Sequence, residues 1–85
     1  MTREQVGEMA FAVEYAAAES ARGVSASRYV VVRDRSHMNQ REMDGWLACI
    51  EFNELAGKRL GAAGALLRRL ESRPDLIAAL EGAES

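Results

Sequence analysis

Eighty-five residues with 48% hydrophobic and 28% charged side chains, one proline and a net charge of −2 describe one small foldable domain over residues 1–85, and exclude both a second core and an intrinsically disordered chain. The lone Cys49 excludes a disulfide-stapled secreted scaffold, and with His37 as the single histidine one chain cannot complete a zinc site. No apolar run exceeds five residues, against about 20 for a membrane span and about 7–15 for a signal-peptide core, so a cytoplasmic protein is expected, with no membrane partner and no cofactor.

The opening residues predict a helix. Thr2 and Gln5 have the spacing of a capping box, and Val6, Met9, Ala10, Val13 and Ala17 recur at helical period. Its expected end is Arg22-Gly23, because glycine commonly supplies the left-handed stop, with Val24–Ser27 as connector. Phe11, Tyr15 and Ala18 form a second apolar patch at i, i+4 and i+7. A helix in a small bundle hides one stripe, so Phe11 and Tyr15 are candidates for contact with another chain, the alternative being a loop folded over them.

Arg28-Tyr29-Val30-Val31-Val32-Arg33 is aromatic and β-branched and carries the one clear strand preference of the chain, near residues 28–33. No second strand is available. It therefore pairs with its own copy in a dimer, adds to a partner's sheet, or loses its propensity to tertiary context; the first and last are preferred. Asp34–Met38 reads as a loop, with His37 on its surface. Asn39 then caps a helix with Glu42 three residues on, and Met43, Trp46, Leu47 and Ile50 form its core face. Ala48, Phe52 and Leu55 lie on one flank of this helix and Cys49, Ala56 and Leu60 on another, which predicts burial on most sides, Cys49 included.

Gly57, Gly61 and Gly64 weaken helix propensity, and Gly61 is the expected break before a helix over 62–71. Ser72 and Asp75 suggest a new cap, with Pro74 in the first turn, before a short last helix that buries Leu76, Ile77 and Leu80, ends at Gly82 and frays over 83–85. These elements give a mainly α fold, a small bundle of three to four helices. Its expected core is Val6, Met9, Val13, Trp46, Leu47, Ile50, Leu66, Leu67, Leu70, Ile77 and Leu80.

Charge alternates by segment: residues 1–21 carry one arginine against four glutamates, 22–41 five arginines against Asp34, 42–57 four acidic side chains and no basic one. Asn53 to Leu70 resembles the helix-turn-helix register, with Gly57 four residues before a turn glycine at Gly61 and Ala56, Leu60, Ala62, Leu67 and Leu70 at apolar places. That resemblance implies a DNA-binding regulator over residues 53–72, with Arg68 and Arg69 on the second helix and Lys58 and Arg59 near the phosphate backbone. One strand followed by two helices likewise resembles ribbon-helix-helix repressors, which pair that strand across a dimer.

Catalytic constellations are thin: the sequence has no glycine-rich phosphate loop, no metal-ligand spacing and no nucleophile elbow. Apolar faces, by contrast, exceed what a core of this size needs. The function expected is that of a small non-enzymatic adaptor, inhibitor or regulator that binds another protein through Phe11, Tyr15, Phe52 and Leu55, as a homodimer. Small size and the lack of an enzyme site suit a phage or mobile-element accessory protein.

Overall fold

Each long helix starts where a side chain satisfies its first free amides. The Thr2 hydroxyl accepts from the Gln5 amide at 3.2 Å while the Gln5 carboxamide accepts from the Thr2 amide at 2.8 Å, a complete capping box. Asn39 Oδ1 accepts from the Glu42 amide at 2.8 Å, and Asn39 Nδ2 donates back to the Glu42 carboxylate at 2.7 Å. In the computed structural model, which describes residues 1–84, these caps open α1 (Arg3–Asp34) and α2 (Gln40–Glu71), joined by a 3₁₀ turn (Arg35–His37) and followed by α3 (Pro74–Glu84). The chain is mainly α, and no strand occurs among the described residues.

α1 and α2, 32 residues each, run antiparallel as one long hairpin. The molecule measures 59 × 17 × 14 Å with a radius of gyration of 18.5 Å, where a compact domain of this length would have about 12 Å. The compact bundle expected from the sequence is thus corrected to an extended hairpin with a short third helix. Two expected breaks are absent: α1 passes through Gly23 and the 24–27 connector, and α2 passes through Gly61. Both glycines keep negative φ, so neither supplies a left-handed stop.

The reason lies in the packing. Inward residues alternate by four and three along both helices: Val6, Ala10, Val13, Ala17, Ser20, Val24, Ser27 and Val31 on α1, and Met43, Trp46, Ile50, Asn53, Gly57, Leu60, Gly64 and Leu67 on α2. All sixteen are buried or half-buried. This is the seven-residue repeat of an antiparallel coiled coil. Val24, Ser27 and Val31 continue the seam that Val6 begins, so burial against α2 overrides the β preference of residues 28–33, and the predicted strand is helical.

Small side chains bring the helices close together. A Cβ at Gly57 would sit 3.5 Å from Ser20 Cβ, and one at Gly64 would sit 3.3 Å from Glu14 Cγ and 3.7 Å from Val13 Cγ1. A hairpin has one inner face, which corrects part of the expected core. Val6, Ile50 and Ile77 are buried and Val13, Trp46, Leu67 and Leu70 half-buried, whereas Met9, Leu47, Leu66 and Leu80 are exposed, as is Leu76, which α3 was expected to bury. Cys49 is exposed as well, since α2 has solvent on the sides where further helices were expected.

The reversal needs no glycine. Arg33 holds Asp34 through two hydrogen bonds of 3.0 and 2.8 Å, Met38 donates to the Arg35 carbonyl at 3.4 Å, and Met38 and Asn39 are extended. At the other end Ser72 closes α2 instead of capping α3: its hydroxyl donates to the Arg69 carbonyl at 2.8 Å. Pro74 opens α3 where its missing N–H is harmless. α3 continues through Gly82 to Glu84, which corrects the expected stop; of the residues expected to fray, Ser85 lies outside the described residues. Ile77 is buried, and Glu81 approaches the Met1 amino group at 4.0 Å.

The glycines give a paired test. A methyl group at Gly61 would meet open space, so Gly61→Ala should stabilise the protein by about 1 kcal/mol through helix propensity, raising the Tm by about 4–8 °C. Gly57→Leu has no room against Ser20 and should destabilise by about 1–3 kcal/mol. Thermal denaturation followed by circular dichroism reads both.

Candidate protein-docking faces

A helix that satisfies one neighbour through a four-three seam has no internal use for a second. α1 nevertheless carries one. Phe11, Tyr15, Ala18, Arg22, Ser25, Tyr29 and Val32 alternate by four and three on the side away from α2, and every one is exposed. The large members are 66% (Phe11), 58% (Tyr15), 63% (Tyr29) and 79% (Val32) exposed. The loop considered as a cover for Phe11 and Tyr15 is absent among the described residues, because residues 24–34 prolong α1. Arg22 lies over the Tyr15 ring at 5.9 Å and Arg33 over Tyr29 at 5.4 Å, shielding part of each ring without burying it.

α2 has an outer stripe of its own: Gly45, Ala48, Phe52, Leu55, Arg59, Ala62, Leu66 and Arg69, again all exposed. Ala48, Glu51, Phe52 and Leu55 line an open groove of about 470 Å³. The structure therefore brings Phe11 next to Tyr15 and Phe52 next to Leu55, but keeps the two pairs apart. The first lies level with Gly64 and the second level with Gly23, on different helices and on either side of the middle of the hairpin. Sequence reasoning does not place Tyr29 and Val32 on this face, and it puts Leu66 in the core; the four-three spacing from Phe11 through Val32 on α1, and from Ala48 through Leu66 on α2, is the signal that finds them.

Ion pairs brace one flank of the hairpin. Arg68 donates to both Glu14 oxygens, the closest contact being 2.6 Å from Nη2, and also holds Glu71 at 3.2 Å. Arg28 pairs with Glu54 across the same two helices. Arg68 is exposed, as are Lys58, Arg59 and Arg69, but its guanidinium is engaged in ion pairs within the hairpin. No turn interrupts residues 53–71: α2 is continuous from Gln40 to Glu71, so the two-helix geometry of a helix-turn-helix motif is absent there.

The Arg68 hydrogen bonds hold the Glu14 carboxyl below its ordinary value of 4.5, against an opposing push from desolvation and with the help of the Arg68 charge. Arg33 and Arg73 do the same to Asp34 and Asp75. No group of histidine, cysteine or carboxylate side chains among the described residues could hold a metal ion. His37 is exposed in the turn, and Cys49 Sγ accepts from Asn53 Nδ2 at 3.6 Å. No described helix is long and apolar enough to cross a membrane. No family model matches the chain, and no curated protein or solved structure matches it.

A carboxylate with a depressed pKa contributes stability above its ordinary value and loses it as the pH falls through the depressed one. Glu14→Gln should therefore lower stability at neutral pH. The gap from the unmodified chain should close as acid protonates Glu14, because the protonated side chain then resembles glutamine. Urea denaturation across that pH range measures the gap at each step.

Proposed function

We propose that this hairpin is a small non-enzymatic protein-binding module, an adaptor, inhibitor or regulator that acts through its outer helical faces and works as a homodimer. One observation carries the reading: both long helices continue an apolar four-three stripe on the side that the hairpin leaves in solvent. The accessible surface supports it. The chain exposes 6286 Å², about 1,300 Å² more than a typical folded monomer of its mass, and a standard interface removes about 800 Å² from each partner.

Phe52 and Leu55 are the residues proposed to anchor another protein. An exposed aromatic beside an aliphatic, on a rigid helix with a shallow groove between them, is the composition of interface centres. The cytosol is the setting this reading assumes.

Capture from cells of the source organism tests the anchor. The unmodified chain should enrich a small set of proteins at least about tenfold over a Phe52→Ser, Leu55→Ser double variant. Circular dichroism should be the same for both chains, as neither side chain belongs to the seam. Equal capture by both would overturn the reading. Salt-steep binding to duplex DNA, lost on Arg59→Ala with Arg69→Ala, would replace it with the nucleic-acid alternative.

A further inference from the structure

Of the two outer stripes, the one on α1 reads the same in both directions. Its sequence is large, large, small, Arg22, small, large, large: Phe11, Tyr15, Ala18, Arg22, Ser25, Tyr29, Val32. A surface that meets its own copy about a two-fold axis must be self-complementary, with residue i on j and j on i. Antiparallel pairing centred on Arg22 gives that arrangement. Phe11 meets Val32 of the copy, Tyr15 meets Tyr29, and Ala18 meets Ser25, so the small residues let the helices approach at the centre and the aromatics pack at both ends.

Charge selects the same direction. Residues 3–20 of α1 hold Arg3 against Glu4, Glu8, Glu14 and Glu19, while 21–35 hold Arg22, Arg28, Arg33 and Arg35 against Asp34. Glu14 and Arg28 are held by α2, and Glu19 with Arg22 and Asp34 with Arg33 pair within their own chain, so the direction is set by the charges toward the ends: antiparallel pairing brings Glu8 to Arg35, whereas parallel pairing would set like on like. The two Arg22 side chains meet at the axis with their charge already balanced, each bonded to Glu19 of its own chain and laid over its own Tyr15. The stripe runs for about 32 Å of helix, enough for an interface of standard size.

We infer that the occupant of this face is a second copy of the chain, paired antiparallel through α1 about a two-fold axis at Arg22. The inference rests on the protein-binding reading above and assigns α1 to self-association, which leaves the Phe52–Leu55 face of α2 for the other protein.

Cysteine cross-linking on a Cys49→Ser background tests the geometry. Arg22→Cys should give a disulfide-linked dimer on mild oxidation, because both copies bring that position to the axis. Phe11→Cys alone should give none, its copy lying about 32 Å away along the axis, whereas Phe11→Cys with Val32→Cys in one chain should link. Linking through Phe11→Cys alone would mean a parallel pair and overturn the inference. Light scattering on the full chain supplies the second measurement: Phe11→Ser with Tyr15→Ser should halve the mass and leave the helical signal intact. A chain that is monomeric before substitution would also overturn it, as would a dimer that survives this variant and is lost on Phe52→Ser with Leu55→Ser. Capture of another protein through Phe52 and Leu55 is read separately, so a monomer that still captures sinks the self-pairing alone.

Discussion

The close approach of α1 and α2 is the constraint on which the rest depends. A methyl group at Gly57 would already touch Ser20, and one at Gly64 would press on Glu14, so the seam is built from small residues with a few larger ones between them. Such a seam buries little apolar area per residue: among the described residues the buried apolar core is Val6, Ala10, Val24 and Ile50 along the seam, with Ile77 of α3. What it supplies instead is length: eight successive inward residues on each helix in one unbroken repeat. The cross-helix pairs of Glu14 with Arg68 and Arg28 with Glu54 then fix one register, since a seven-residue repeat of small side chains would tolerate a slip by one heptad that these charges would not.

Much of the local structure was legible in the sequence. The Thr2–Gln5 and Asn39–Glu42 caps and the Met43, Trp46 and Ile50 face follow from short-range rules that depend on no distant partner. The helix ends were not legible. Gly23 and Gly61 look like stops when each is judged by its own propensity, and Tyr29–Arg33 looks like a strand, because the decisive fact is a partner helix about thirty residues away in sequence. Ser20, Ser27 and Asn53 concealed it. They occupy inward positions with polar side chains, so a count of apolar residues loses the repeat where the packing keeps it.

The candidate faces divide in the same way. Phe11, Tyr15, Phe52 and Leu55 stood out as surplus apolar residues, and each is exposed. Their grouping did not, because the continuation of the α1 stripe to Tyr29 and Val32 required knowing that α1 passes Gly23. Extending the helix converts an isolated patch into a two-ended surface, and only a two-ended surface can be self-complementary. The basic residues move the other way: continuity of α2 removes the turn on which the helix-turn-helix resemblance was built and ties Arg68 to Glu14.

The shape has a consequence for how the molecule behaves in solution. A rod of 59 × 17 × 14 Å tumbles and sieves unlike a sphere of the same mass. Its 18.5 Å radius of gyration matches that of a compact chain of about 270 residues. The Stokes radius rises far less with elongation than the radius of gyration does, so a single copy would leave a sizing column only moderately ahead of a globular protein of its mass, while rotational diffusion would be anisotropic, slow for end-over-end motion and fast about the long axis. The rotational diffusion of this chain reports its length before it reports its stoichiometry.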